Sequence, residues 1–251
     1  MGTDIHLYTE RRVDGVWVTC DKWTNDPNYP EEGLRVAYDD MPFHDRNYDL
    51  FAMLADVRNG RDFAGCVTGA GFVPIHPPRG VPEDARPEYL ALGKDHTPSW
   101  ATLAELLAYD WTQKSTKSGI VDLRGLARWK INGRPEGWSG GISGPGIRVF
   151  DAQEALLRVE AVLKRQQKQD WYQLYHLPGT DFSIDEGAYK PAQKALVEAI
   201  ATELGCPRPH FQVNWEVQYS KAAGNFWTYE IPRLLRLGKP EDVRICYFFD
   251  N

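Results

Sequence analysis

The stretch Met1-Gly2-Thr3-Asp4-Ile5-His6-Leu7-Tyr8-Thr9-Glu10 decides the fold, because its side chains alternate in character. Successive side chains of a strand point to opposite faces, so one face carries Ile5, Leu7 and Thr9. The other face carries two carboxylates, an imidazole and a phenol, at Asp4, His6, Tyr8 and Glu10. Such a polar row indicates a face that meets water or a ligand. We therefore predict a strand with a site beside it.

Further elements follow from periodicity and capping. The Asp-Gly step at 14–15 accepts the positive φ of a tight turn, so residues 4–11 and 16–20 are predicted to form a hairpin. Alternating and apolar runs predict strands at 211–219 and 243–249. Helical periodicity and capping residues predict helices, at 47–57, from 102, from 151 to about 169, at 190–204 and at 226–237.

Strands near both ends of the chain with helices between them predict an α+β fold. We expect a single domain over 1–251, with a central, mostly antiparallel sheet joining both termini, helices packed on it, and long loops. Loops are expected at 21–45 and 65–87, which are rich in Pro, Gly, Asp and Asn. The segment at about 111–150 contains the Gly-rich run 137–146 and is a candidate flap.

Composition excludes several classes of protein. The net charge is −6 and the basic residues are not clustered, which is unsuited to binding a nucleic-acid duplex. The four cysteines are far apart, so neither a cysteine zinc site nor a disulfide framework is indicated. The absence of a signal peptide and of a long apolar run predicts a cytosolic protein that is not in a membrane. Nothing here fixes an oligomeric state.

Asp4 and His6 are the strongest candidates for chemistry. A carboxylate and an imidazole two residues apart on a strand point the same way and can share a metal ion or a proton. With His96 they could hold a catalytic divalent metal, which we predict as one option. Without a metal, Asp4, His6 and His96 are predicted catalytic residues, with His6 as general base. Alternatively, His6 is a hydrogen-bonded sheet residue and His96 a loop residue.

Two acid–imidazole pairs could complete this group. Asp95-His96 precedes a predicted helix at Trp100, and His44-Asp45 precedes the helix that begins near Asn47. The last residues, Asp250 and Asn251, could also lie beside the first strand and complete its polar face, or simply face water.

Ligand contacts are predicted at a helix start and at two tryptophans. In Arg46-Asn47-Tyr48-Asp49, Arg46 could bind phosphate and Tyr48 could stack on a base. The alternative is a plain Asn cap on a helix. Trp100 and Trp138 are further candidates for ligand contact, Trp138 from the Gly-rich run. That run matches no known phosphate-binding motif, so a flexible surface loop is the alternative.

Four segments together resemble a family of uncharacterised bacteriophage and bacterial proteins. They are Met1-Gly2-x-Asp4-Ile5-His6, Arg46-Asn47-Tyr48-Asp49-Leu50-Phe51, Asp95-His96-Thr97-Pro98-Ser99-Trp100 and Phe249-Asp250-Asn251. The resemblance spans the chain and is weakest at about 111–150. It implies a phage or bacterial cytosolic setting and no activity. In that setting, a protein that captures or destroys a nucleotide messenger of host defence is one option.

Three functions therefore stand as expectations. The first is a hydrolase that uses an Asp/His site, with either a divalent metal ion or no cofactor, on a small nucleotide-like ligand. The second is a non-catalytic binder that sequesters a nucleotide messenger. The third is a structural or interaction protein, which would be favoured if His6 and His96 lay far apart.

Overall fold

A computed structural model describes residues 2–25, 33–62, 64–92, 96–166, 170–179 and 185–250. The chain divides into two compact units. The first comprises Met1–Gly65, Gly71–Ser115 and Val217–Asn251, and the second Cys66–Ala70 and Thr116–Glu216. A single domain over residues 1–251 stays a prediction.

The strands within the described ranges are β1 (Ile5–Val13), β2 (Val16–Thr19), β3 (Trp23–Asn25), β4 (Leu34–Val36), β5 (His96–Thr102), β6 (Lys114–Val121), β7 (Ile147–Asp151), β8 (Arg208–Gln218) and β9 (Val243–Phe249). The α-helices there are α1 (Tyr48–Ala55), α2 (Pro87–Leu90), α3 (Leu103–Ala108), α4 (Leu123–Asn132), α5 (Ala152–Arg165), α6 (Trp171–Tyr175), α7 (Pro191–Leu204), α8 (Tyr219–Ala222) and α9 (Ile231–Leu235). A π-helical turn at Phe226–Glu230 precedes α9. Among the described residues, no helix combines the length and apolarity needed to cross a membrane.

The sheet of the first unit joins the two ends of the chain. Its strand order is β2-β1-β9-β5, and each neighbouring pair is antiparallel. The register of β1 and β9 runs from Ile5 opposite Phe249 to Arg11 opposite Val243. The predicted α+β class, with an antiparallel sheet joining the termini, is confirmed.

One face of this sheet carries the main core. Ile5 and Leu7 share that face with their β9 partners Phe249 and Tyr247, because residues directly opposite in a ladder point to the same side. Side chains of α1, α3 and α9 pack against them in one buried apolar cluster. The Tyr247 hydroxyl donates a hydrogen bond to the backbone of Leu54 in α1, at 2.8 Å.

The other face of the sheet is covered over part of its length. Tyr8 packs in a second buried cluster with Val36 and Tyr89, which lie in β4 and α2. Glu10 is 2% exposed and bonds to the Arg244 guanidinium at 2.7 Å. The prediction that Tyr8 and Glu10 face water or a ligand is therefore wrong. Segments that were predicted as loops, together with α2, cover the part of β1 that contains these two residues.

Most turns, caps and helix ends predicted from local sequence are confirmed. The hairpin turn holds Asp14 and Gly15 at positive φ, 51° and 82°. Thr102 and Glu105 form the expected capping box on α3, Asp151 caps α5, and Gly205 ends α7.

Some predicted boundaries differ from those in the structure. The helix predicted at Trp100 is strand β5, and the helix begins only at Leu103, after the Thr102 cap. Helix α1 ends at Ala55, because Asp56 takes a left-handed conformation before Asn59-Gly60 is reached. The expected loop at 21–45 contains β3 and β4, and residues 26–32 lie outside the described ranges.

The second unit contains a three-stranded sheet in the order β6-β8-β7. Its β7 and β8 are parallel, and helices α5, α6 and α7 lie between them in the chain. An apolar cluster fills this unit, with residues from α4, α5, α7 and β8. Much of 111–150, predicted as a flap, forms β6, α4 and β7. The mobility of the Gly-rich run stays a prediction.

Replacing Glu10 by Gln should lower the free energy of unfolding by about 1.5–3 kcal/mol, the usual contribution of a hydrogen bond to a charged group, because the buried Arg244 guanidinium loses one of its two carboxylate partners and keeps Asp84. The control is Asp242→Asn, which breaks the exposed ion pair with Arg12 and should change stability by less than about 1 kcal/mol. Urea unfolding of both variants measures the difference. Equal losses would contradict a structural role for the buried pair.

Candidate functional site

A cleft of about 840 Å³ lies in the first unit, where β1 begins and β9 ends. His6 lines it from β1, Asp4 from the residue before β1, and Asp250 from the residue after β9. The segment 38–46 and the segment 225–230 supply its other walls. The pairing of β1 with β9 thus brings groups from both ends of the chain into one place.

Asp250 is the residue that links the polar groups at this point. Its Oδ1 accepts a hydrogen bond from the backbone N–H of Asp4 at 2.7 Å, and its own N–H donates to the Asp4 carbonyl at 3.1 Å. Its Oδ2 lies 3.2 Å from Nε2 of His6. The carboxylate is therefore held by the backbone of β1 while it faces the imidazole.

His6 is fixed in an orientation suited to a base. Its ring stacks on Phe248, with centroids 4.8 Å apart and planes 7° apart. A carboxylate accepts hydrogen bonds, so the neutral ring donates from Nε2 and keeps its lone pair on Nδ1. Among the described residues no side chain bonds to Nδ1. The side chain is 29% exposed, so water can approach it.

Asp4 is paired rather than free. The Arg46 Nε and Nη2 atoms bond to its two oxygens at 2.7 and 2.5 Å. This hydrogen bonding holds the pKa of Asp4 below its ordinary value. Gly2 permits the arrangement, because a side chain there would collide with the Arg46 guanidinium. The prediction that Arg46 binds phosphate stays untested, and its charge is already neutralised by Asp4.

The third wall contains a buried acid that the sequence analysis missed. Glu230 is 4% exposed and accepts hydrogen bonds from Nε of Arg233 at 2.8 and 3.0 Å. Arg233 also donates to the Thr9 hydroxyl at 2.6 Å, and the Thr9 N–H donates to Asp21 at 2.6 Å. A chain of contacts thus connects the cleft wall to Asp21. The sequence analysis predicted residues 226–237 as a helix and named neither Glu230 nor Arg233 as a site residue.

Asp21 is a carboxyl group with unusual acidity. Burial raises its pKa to about 7, although the Thr9 hydrogen bond and the Arg233 charge oppose the shift. The nearby charges of Glu230 and Glu10 add to the rise. Asp21 therefore changes its charge near neutral pH, at one end of the contacts that reach the cleft.

Aromatic side chains give the cleft exposed flat surfaces. Tyr38 is 64% exposed and Tyr229 is 71% exposed, and both line the cleft. The Tyr38 ring lies 4.2 Å from that of His44, which also lines it. Rings of this kind bind flat ligands through their faces and polar ligands through their hydroxyl groups.

The other predicted ligand contacts lie elsewhere. The Tyr48 hydroxyl accepts a hydrogen bond from the Thr3 N–H at 3.3 Å, and its ring packs on Phe51. Trp100 packs in the cluster around Tyr8, with the Arg79 guanidinium 4.8 Å from its ring. Neither belongs to the cleft lining, and ligand roles for them remain predictions.

Trp138 belongs to the second unit. There its ring lies 5.5 Å from that of Trp215, and the Lys117 ammonium lies 5.0 Å from it. These contacts account for its position by packing, and a ligand role stays a prediction.

His96 lies on the far side of β9 from β1 and still reaches the same junction. Its Nε2 is 3.3 Å from the backbone oxygen of Asp250. His6 thus contacts the Asp250 carboxylate and His96 the Asp250 backbone oxygen, but of the two only His6 is among the described residues that line the cleft. Catalysis by His96 and the third function, a structural or interaction protein, stay predictions. Asp95 lies outside the described residues.

The metal option gains no geometric support within the described part of the chain. No three His, Cys, Asp or Glu side chains there are arranged to hold a metal ion. Metal binding by Asp4, His6 and His96 stays a prediction, and so does the choice between a divalent metal ion and no cofactor.

Comparison with known protein families, with curated proteins and with solved structures found no match. The resemblance to bacteriophage and bacterial proteins stays a prediction, and the geometry of the cleft is the basis for a function.

Asp21→Asn should flatten the pH dependence of stability between pH 4 and 7. In this window the folded protein keeps a proton on Asp21 that the unfolded chain loses, because the pKa rises from 3.8 to about 7 on folding. The free energy of unfolding therefore decreases as pH rises, by up to about 1.4 kcal/mol per pH unit. Urea unfolding at several pH values measures the slope. Asp39→Asn, at an exposed position, is the control, and an unchanged slope in D21N would contradict the assignment.

Proposed function

We propose that this protein is a hydrolase that binds a small, flat, polar ligand in the cleft and activates water with His6. The observation that carries the proposal is the contact between Nε2 of His6 and Oδ2 of Asp250, at 3.2 Å. It leaves Nδ1 as the basic atom of a partly exposed ring at the cleft wall. A histidine oriented by a carboxylate is an effective general base near neutral pH.

The chemical step follows from these groups. Nδ1 of His6 takes a proton from a water molecule as the oxygen attacks the substrate. Asp250 stabilises the imidazolium that forms, because its carboxylate already accepts the hydrogen bond from Nε2. The imidazolium then returns the proton to the leaving group. The bond between the attacked atom and the leaving group breaks, and the base is regenerated. One product carries the hydroxyl group of the water molecule, and the leaving group carries its proton.

The remaining cleft residues support substrate binding. The exposed rings of Tyr38 and Tyr229 can stack on a flat group such as a nucleobase. The Asn225 side chain lines the same cleft and can donate and accept hydrogen bonds. This suits the base and sugar of the nucleotide-like ligand expected from the sequence.

A non-catalytic binder is the second candidate, supported by the same tyrosines. Two exposed rings in one cleft can hold a flat ligand without any chemistry. Such a protein would sequester its ligand, as expected for capture of a nucleotide messenger. The two functions differ in turnover and in the effect of changing His6.

His6→Asn should reduce kcat/KM by about 10²–10⁴-fold, the usual contribution of a general base, while ligand affinity changes little. The assay follows hydrolysis of a panel of nucleosides and nucleotides by chromatography, with and without Mg²⁺ or Mn²⁺. Asp250→Asn should lower kcat by a smaller factor and shift the pH profile. His210→Asn, a histidine of the second unit, is the control.

Three outcomes separate the alternatives. Loss of turnover in H6N with affinity retained supports the hydrolase. Tight binding without turnover in the wild-type protein supports the binder. Full turnover in H6N would contradict the role of His6, and turnover only with added metal would favour the metal option.

A further inference from the structure

We infer that the ligand of this cleft presents an amino group or another cationic N–H donor to the wall and carries no phosphate there. The inference deepens the proposed function and rests on its assignment of the cleft as the ligand site. Three features of the cleft lead to this inference. They are the pairing of its guanidinium, the excess of carboxylates and the exposure of its tyrosine rings.

The first feature is that the one guanidinium among the described residues lining the cleft is already paired with a carboxylate. Arg46 is the one Lys or Arg among the described residues lining the cleft. Its Nε and Nη2 atoms are both bonded to Asp4. A phosphate would have to displace this carboxylate or bind beside it, and both arrangements place negative charges close together. Recognition of phosphate normally uses a guanidinium whose fork is free.

The second feature is an excess of carboxylates. Asp4, Asp45, Glu230 and Asp250 line the cleft against the single guanidinium of Arg46. Arg233 compensates Glu230 from behind the wall. The Asp45 side chain has no hydrogen bond or ion pair with any described residue and is exposed. It is therefore the group most available to a positively charged ligand.

The third feature is independent of the carboxylates. The exposed faces of Tyr38 and Tyr229 carry the negative side of the ring quadrupole, which attracts cations as well as flat groups. A cleft with open tyrosine faces and a free carboxylate attracts amines by two separate interactions. Both interactions disfavour a phosphate.

The test uses three compounds that differ at one position. Adenosine, 5′-amino-5′-deoxyadenosine and adenosine 5′-monophosphate share a base and a sugar ring and carry a neutral, a cationic and an anionic group. Their affinities for the full chain are measured by calorimetry at low and at physiological salt. We expect the amine to bind most tightly and the monophosphate at least tenfold more weakly than the amine, with a smaller ratio at high salt.

Asp45→Asn should reduce the ratio between the amine and the monophosphate at least threefold, because it removes the free carboxylate. Asp39→Asn, in the neighbouring exposed segment and outside the cleft lining, should leave the ratio unchanged. Circular dichroism confirms that both variants are folded.

The outcomes distinguish this inference from the proposed function. The expected order supports the inference even if no compound is hydrolysed, in which case the hydrolase proposal alone fails. A monophosphate that binds as tightly as the amine, or more tightly, overturns the inference and leaves the hydrolase possible. A failure of all three compounds to bind at millimolar concentration overturns both.

Discussion

The antiparallel pairing of β1 with β9 is the interaction on which the rest of the first unit depends. Its register places Ile5 opposite Phe249 and His6 opposite Phe248. Because side chains alternate, this single register sends one set of residues into the main core and the other set to the opposite face. A shift by one residue would bury His6 in the apolar core and expose Leu7.

The polar face of β1 serves two purposes along its length. Near its middle, Tyr8 and Glu10 are enclosed by β4, α2 and their connections, and Glu10 pairs with Arg244. At its beginning, Asp4 and His6 remain at the open end, next to Asp250. The covered half anchors the strand by burial and by a charge pair. The open half is then free to line a cleft.

The sequence predicted the elements with strong local signals and missed what depends on distant contacts. Hairpin, caps and the apolar strand Val243–Phe249 follow from turn chemistry and alternation, which act within a few residues. Strand β5 was mistaken for the approach to a helix, since only pairing with β9 makes residues 96–102 extended. Asp4, His6 and Arg46, three of the predicted site residues, line one cleft, and their predicted roles stay predictions. The prediction that Asp250 lies beside the first strand is confirmed by its hydrogen bonds to Asp4 and His6. The Arg46–Asp4 pair and the position of Glu230 were not predicted, because they depend on distant contacts that leave no mark in the local sequence.

His6 and its carboxylate partner are 244 residues apart in the chain. Closing so long a loop costs conformational entropy, which the hydrogen bonds and buried side chains of the β1–β9 ladder must offset before the pair is stable. Neither fragment of a chain cut between these strands could hold the pair alone. Formation of the His6–Asp250 contact therefore reports completion of the sheet, and two fragments mixed together could restore it only by pairing β1 with β9 across the break.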